Sequence, residues 1–226
     1  MRWVASGVLM VCCMASTGAW AAGVATVKTG DRTVTVSFAG ADARVDISGT
    51  QGGYLLLQGD RVYSVTNVNG QPLVLDAQSA AGLLGGGLHT STDMIQSLTR
   101  LAATGAHETV AGQPGDVYSV TYRDVQGRTH TGRGVLGSQA TVRELTQVLG
   151  HMAILLQSAG RQPVSGTQQV LDALNQRGMG LLAYEGQYRV ERISSAAPAP
   201  GTLSLPAQPT QLPGNLGQLL QGLTPR

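Results

Sequence analysis

The first third of the chain alternates apolar and polar residues over several short runs, each of which ends in a turn signal. Val34, Val36 and Phe38, for example, are separated by single Thr and Ser residues, a period of two that is typical of strands with one buried face. Asn69-Gly70 lies between two such runs, and Asn-Gly favours a two-residue hairpin because both central residues of a type I′ turn need positive φ. Residues 24–76 are therefore predicted to form an antiparallel meander of about five strands.

The middle of the chain mixes helical and strand patterns. Apolar residues spaced by three and four predict helices over residues 92–103, 138–158 and 167–176. In the longest of these, Thr141 and Glu144 resemble a capping box and Gly160 marks the end. Period-two alternation predicts strands near 118–122 and 129–136 and a last hairpin over 180–194 that turns at Gly186. The fold class is therefore predicted to be α+β, with an antiparallel sheet.

The N-terminus has the three parts of a cleavable secretory signal in the expected order. Arg2 supplies a positive charge, and residues 4–14 are apolar and uncharged. Ala19 and Ala21 then offer small residues at the two positions that a signal peptidase recognises, which places cleavage before Ala22. An uncleaved membrane anchor is the alternative, although the apolar run is short of the roughly 20 residues that a spanning helix needs. We expect a periplasmic protein that meets the membrane only transiently, through this signal.

Removal of residues 1–21 also removes both cysteines, Cys12 and Cys13. Lipidation at Cys12 is an alternative, but Met10 and Val11 fit poorly where small residues usually precede a lipid-modified cysteine. The expected mature chain has no disulfide, so core packing alone holds its fold. Loss of Arg2 lowers the formal net charge of +2 by one. That balance is unsuited to phosphate neutralisation, and a nucleic-acid partner is not expected.

The C-terminal composition shifts after Ser195 to Pro, Ala, Gly and Leu. Prolines cannot continue a sheet or a helix, so residues 195–209 are predicted to be an extended linker. A helical stripe of leucines follows, which we interpret as a lid on this chain or a docking peptide: Leu212, Leu216, Leu219, Leu220 and Leu223. The chain thus divides into a signal (1–21), one α+β domain (22–195) and a tail (196–226).

No motif in the sequence points to catalysis, a metal or another cofactor. The four histidines lack a second His or Cys at ligand spacing, and no HExxH occurs. No GxSxG is present, and Ser138 is explained by a role at the start of a helix. A pair of carboxylates that meets only in space stays open as a hydrolase alternative. We therefore expect a protein that is not an enzyme.

Apolar and aromatic residues are the remaining candidates for a binding site. They share strand or helix positions that could face one pocket for an acyl chain or an apolar segment. Alternatively they fill the core beneath the helices. The candidate lining residues are Tyr54, Leu56, Tyr63, Val65, Tyr118, Val120, Tyr122, Leu149 and Met152.

Roughly residues 30–80 also carry a family resemblance, which extends to the rest of the chain only in outline. The segments Arg44-Val45-Asp46-Ile47, Gly52-Gly53-Tyr54-Leu55-Leu56, Gly59-Asp60-Arg61-Val62-Tyr63-Ser64-Val65 and Gly70-Gln71-Pro72-Leu73-Val74-Leu75-Asp76 resemble a family of exported bacterial proteins with a domain of unknown function. That family has been likened to the LolA-type periplasmic lipoprotein carriers. The resemblance implies an open, half-barrel-like curved sheet with helices packed on its concave face, where the carriers hold lipid chains.

The resulting expectation is non-enzymatic binding of an apolar or lipid-like ligand, such as a lipid or an acylated molecule, in the cell envelope. The alternative is a structural or interaction protein that uses its C-terminal tail to dock an envelope protein partner.

Overall fold

A computed structural model describes residues 21–48, 53–77 and 94–210 of the chain. These residues form eleven strands and two longer helices. The strands are β1 (Ala22–Thr29), β2 (Arg32–Ala39), β3 (Asp42–Ile47), β4 (Tyr54–Gln58), β5 (Arg61–Val68), β6 (Gln71–Asp76), β7 (Ile95–Val110), β8 (Gln113–Asp124), β9 (Thr129–Gly137), β10 (Gly180–Tyr184) and β11 (Tyr188–Ser194). The helices are α1 (Ala140–Ala159) and α2 (Ser165–Gln176).

All eleven strands belong to one open antiparallel sheet with the order β6-β5-β4-β3-β2-β1-β11-β10-β9-β8-β7. Each half of the sheet is a meander of strands that are consecutive in the chain. The halves join where β1, the first strand, pairs with β11, the last. The predicted fold class, α+β with an open antiparallel sheet and packed helices, is confirmed.

The hairpins lie where the turn residues predicted them. Asn69 and Gly70 have φ of 52° and 81°, so both central residues adopt the left-handed conformation that a type I′ turn requires. Gly186, with φ of 71°, lies in the turn between β10 and β11. The first meander has six strands, one more than predicted, because β1 precedes the runs that alternate most clearly.

The two predicted helices after residue 137 are present, and their ends differ slightly from the prediction. Gln139 is the N-cap of α1 and makes no side-chain cap hydrogen bond, so the predicted Thr141/Glu144 capping box is wrong. Both residues lie inside the helix, and Thr141 comes two residues after the N-cap. Gly160 closes α1 as predicted, and its N–H donates to the carbonyl oxygen of Leu156.

The predicted helix over residues 92–103 is wrong, because its described part belongs to strand β7. Register shifts between Ile95 and Ser97 and between Leu98 and Arg100 each insert one extra residue opposite β8. Ile95, Leu98 and Leu101 therefore lie opposite Asp124, Tyr122 and Val120, with a spacing of three on β7 against two on β8. Two β-bulges in succession thus imitate the spacing of a helical stripe.

Helix α2 binds the backbone of the edge strand β7. The Leu98 N–H donates to Gln169 Oε1 at 3.0 Å, and Ser165 Oγ donates to the Gln96 carbonyl at 3.3 Å. Arg177 Nη2 donates to the Leu101 carbonyl at 3.4 Å. Unpaired backbone groups on an edge strand are a template for aggregation, and side chains of α2 bind three of them here.

Helix α1 packs against both halves of the sheet and contacts β10, β11, β1, β2, β3 and β5. Val142, Leu145 and Met152 on α1 are buried in the main core. The approach is closest at Gly180, where a side-chain Cβ would collide with the carbonyl oxygen of Val142. Within the described residues, no helix is long and apolar enough to span a membrane.

Replacement of Gly180 tests how closely α1 and β10 pack. The Gly180→Ala variant should lose about 1–3 kcal/mol in the free energy of unfolding, because the obstacle is backbone and cannot rotate away. Gly53→Ala is the matched control, since its Cβ would lie at an ordinary 3.6 Å from the Val65 carbonyl oxygen. Urea denaturation measures both variants, and equal stabilities would contradict this packing.

Candidate functional site

The C-terminal linker packs on the sheet. We call residues 195–210 the tail segment. They form turns and extended chain without a helix or strand. Leu203, Leu205 and Ala207 are half-buried, whereas Ser204 and Pro206 between them are exposed. One side of residues 203–207 therefore lies on the protein, although the chain turns over residues 200–203 and bends farther along.

The surface beneath the tail segment is an apolar face of β4, β5 and β6. Leu205 and Ala207 pack against a cluster that we call the tail-covered face: Tyr54, Leu56, Tyr63, Val65 and Val74. Strand register places these residues side by side, since Leu56 pairs with Tyr63 and Val65 pairs with both Tyr54 and Val74. The tail-covered face is thus one continuous surface built by three neighbouring strands.

Two hydrogen bonds fix the backbone of the second half of the tail segment, one at Leu203 and one at Thr210. Gln58 Nε2 donates to the Leu203 carbonyl at 2.8 Å, and the Thr210 N–H donates to the Val74 carbonyl at 2.8 Å. In the β5–β6 hairpin, Val74 lies one pair beyond the hydrogen-bonded pair Thr66/Leu73. Hydrogen-bonded and non-hydrogen-bonded pairs alternate in an antiparallel ladder, so the Val74 carbonyl points away from β5. Thr210 therefore binds the open edge of β6.

Charged side chains flank the tail-covered face in pairs. The Arg44 guanidinium lies 3.6 Å from the centre of the Tyr54 ring and binds Asp46, with Nη2 2.7 Å from Oδ1. The hydrogen bond to Asp46 raises the pKa of Arg44 against the opposing effect of burial. On the other side, Arg61 Nη1 lies 3.5 Å from Asp76 Oδ2. The rim is therefore close to neutral overall.

The same strands are also buried on their inner face. Leu57 and Val62 alternate with Leu56 and Tyr63, and they belong to the main core with Met152 of α1. Leu149 of α1 packs against that core as well. Of the predicted lining residues, Tyr54, Leu56, Tyr63 and Val65 thus lie together under the tail segment. Leu149 and Met152 lie on the opposite side of the sheet.

The other predicted lining residues lie on β8, in the second half of the sheet. Tyr118 is buried against Leu136 and Leu174 of α2. Val120 is half-buried on the same strand. The Tyr122 ring stacks on His130 with centroids 5.0 Å apart. Tyr184 lies beside Tyr122. Burial and the neighbouring Tyr122 raise the pKa of Tyr184 to about 12. The structure does not bring the nine predicted residues into one pocket.

A buried carboxylate organises the turn between β8 and β9. The Asp124 side chain is fully buried, and its Oδ2 lies 2.6 Å from Arg128 Nε and 2.7 Å from His130 Nε2. Its Oδ1 accepts hydrogen bonds from the N–H groups of Gln126 and Arg128. Burial raises the pKa of Asp124, but the hydrogen bonds from His130 and Arg128 outweigh it and hold the pKa well below its usual range.

The hydrogen-bonding capacity of the Asp124 carboxylate is used by groups of its own turn, which indicates a structural role. Four donors surround its two oxygens, so the cluster fixes the turn and holds the His130 ring against Tyr122. Among the described residues, no group of three or more His, Cys, Asp or Glu could hold a metal ion.

A cavity of about 510 Å³ lies between the β1–β2 turn, β9 and the β10–β11 hairpin. Lys28, Arg133 and Arg189 are among its lining residues. Glu108 on β7 neutralises two of these cations, with Oε2 2.5 Å from Arg133 Nη2 and Oε1 3.2 Å from Arg189 Nη1. The hydrogen bond from Arg133 lowers the pKa of Glu108. Apolar groups, including the rings of Tyr184 and Tyr188, line the rest of the cavity.

The sequence patterns missed Val74, Leu205 and Ala207 as members of the site. Alternation of Leu203, Leu205 and Ala207 with Ser204 and Pro206 was the available signal, but the prolines favoured a linker. The predicted leucine stripe (Leu212, Leu216, Leu219, Leu220 and Leu223) lies outside the described residues. So does Ala19 of the predicted cleavage site, whereas Ala21 precedes β1 and Ala22 is its first residue.

Comparison with protein-family models, curated proteins and solved structures finds no match to this chain. The resemblance to the LolA-type carriers therefore stays a prediction.

Asp124→Asn should lower the free energy of unfolding at neutral pH, because the amide loses the charge-assisted hydrogen bonds. A carboxyl whose pKa is lowered on folding stabilises the protein above its unfolded pKa and loses that effect as pH falls through the folded pKa. The stability gap between the two proteins should therefore narrow as the pH falls below about 4. Urea titrations across this range measure it. Asp31→Asn, in the exposed β1–β2 turn, is the control, and a gap that widens in acid would contradict the assignment.

Charges under the tail segment should release it. We define the tail-release variant as Leu205→Asp with Ala207→Asp, since both side chains face the apolar surface. Hydrogen exchange at the Thr210 amide should accelerate by at least about tenfold, because its bond to Val74 is lost. The matched control, Ser204→Asp with Gln208→Asp, adds the same charge on the exposed side and should leave that exchange slow. Slow exchange in both variants would show that these contacts do not hold the tail segment.

Proposed function

We propose that this chain is an exported, non-enzymatic binding protein of the cell envelope, and that its site for an apolar or lipid-like ligand is the tail-covered face. The observation that carries the proposal is the cover itself. The other two apolar clusters of the described residues contain side chains of α1 or α2, whereas this one lies beneath a proline-rich segment without helix or strand.

The tail segment can leave without disturbing the sheet. Its anchors are the side chains of Leu205 and Ala207 and two hydrogen bonds, none of which belongs to a strand ladder. Partial burial of small apolar side chains and two hydrogen bonds oppose the conformational entropy that ordering the segment costs. Such a limited set of contacts is what a displaceable cover requires.

An uncovered face would need another occupant. It presents two tyrosine rings and three aliphatic side chains in one surface, and contiguous apolar patches on soluble proteins usually mark binding sites. Tyrosine suits such a site because it combines a large apolar ring with a polar hydroxyl. The neutral rim of Arg44, Asp46, Arg61 and Asp76 favours a ligand without net charge.

The proposal differs from the LolA-type expectation in the location of the ligand. In the carriers the concavity holds the lipid, whereas here α1 fills one face of β1–β5 with Val142, Leu145, Val148 and Met152. The opposite face of β4–β6 is therefore the better candidate in this chain. An exported location and a lipid-like ligand are parts of the proposal.

A fluorescent fatty acid tests the proposed function. The tail-release variant of the full chain should bind cis-parinaric acid saturably, and the wild type should bind it at least about tenfold more weakly because its tail segment competes. Adding Val65→Asp to the tail-release variant should abolish binding. The uncovered face is open to water, so the charge need not be buried there.

The matched control is Val68→Asp in the same background, because Val68 is an exposed apolar residue of the same hairpin, outside the tail contacts. Circular dichroism checks that every variant keeps its fold. If the folded tail-release variant binds neither the fatty acid nor any other apolar probe, the proposed function is wrong.

A further inference from the structure

We infer that the ligand of the tail-covered face is an uncharged, non-helical peptide segment of a partner protein, with apolar residues at every second position and proline among them. This inference rests on the proposed function and narrows its ligand class. In the absence of the partner, the tail segment occupies the site as an internal substitute.

The geometry of the occupied site selects a non-helical chain. Leu203, Leu205 and Ala207 face the protein with a period of two, while the residues between them face solvent. A helix would present apolar residues at spacings of three and four and could not place these three side chains in one row. The backbone turns over residues 200–203 and bends again farther along, so the face accepts an irregular segment with this spacing.

Two polar groups of the site bind main chain. Gln58 Nε2 binds a carbonyl oxygen, and the Val74 carbonyl binds an N–H at the open edge of β6. They lie at opposite ends of the contact, seven residues apart in the occupant. An acyl chain offers neither a carbonyl nor an N–H at that spacing, whereas a peptide backbone does.

Proline in the occupant is compatible with this arrangement. Pro206 and Pro209 lack an N–H, and neither takes part in the two anchoring bonds. Proline also restricts the backbone of the free peptide, which lowers the entropy lost on binding.

The charge pattern agrees with an uncharged peptide. Residues 195–210 contain no Asp, Glu, Lys or Arg. At the rim, Arg44 is bound to Asp46 and Arg61 lies beside Asp76, so each cation already has an acidic neighbour. A charged ligand would have to separate one of these pairs.

A labelled peptide with the sequence of residues 200–210 is the probe. Fluorescence anisotropy should show saturable binding to the tail-release variant of the full chain. The wild type should bind at least about tenfold more weakly, because its own tail segment is present at an effective concentration in the millimolar range. A peptide with aspartate at the positions of Leu203 and Leu205 is the control and should not bind.

Gln58→Ala separates peptide recognition from general apolar binding. In the tail-release variant it should weaken the peptide about three- to tenfold, through loss of one hydrogen bond. It should leave binding of cis-parinaric acid unchanged.

The outcomes distinguish the two proposals. If the fatty acid binds and the peptide does not, the proposed function stands and the peptide inference is overturned. If neither binds, both fail. If the wild-type chain dimerises in solution by exchanging tail segments, the occupant is a second copy, which also overturns the assignment to a partner protein.

Discussion

The pairing of β1 with β11 is the contact on which the rest of the architecture depends, because it joins two meanders that are each built from local hairpins. Six residue pairs, from Val24↔Ser194 to Thr29↔Tyr188, connect strands separated by nearly the whole described chain. Helix α1 packs against strands on both sides of this seam. The same pairing brings the end of β11 to the middle of the sheet, so the tail segment leaves there and crosses to β4–β6.

Strands β4 and β5 are consequently buried on both faces, with α1 on one and the tail segment on the other. One cover is a closely packed helix and the other an irregular segment, and this difference suggests different roles. Helix α1 approaches β10 so closely that Gly180 has no room for a side chain, and close packing of this kind is permanent in a folded protein. The tail segment makes few contacts and no ladder, which is the arrangement expected of an exchangeable occupant.

Local patterns were sufficient for most of the fold. The Asn69-Gly70 hairpin and the closure of α1 by Gly160 depend on neighbouring residues alone, and both were predictable. The predicted helix over 92–103 failed because two bulges give β7 the spacing of a helix, and bulges depend on the partner strand. The pairing of Leu205 with the face around Tyr63 depends on residues about 140 positions apart. No local sequence pattern specifies this contact. Sequence patterns therefore identified the strand residues of the site but not the tail residues that cover them.

The most direct test of the central claim is a nuclear Overhauser measurement on the wild-type chain in solution. If the tail segment covers the sheet, the δ-methyl groups of Leu205 should show cross-relaxation with side chains of Leu56, Tyr63, Val65 or Val74, which requires distances within about 5 Å and agrees with van der Waals packing. Leu205 methyl groups with only sequential contacts and random-coil shifts would contradict the account, because the apolar face would then have no cover of its own.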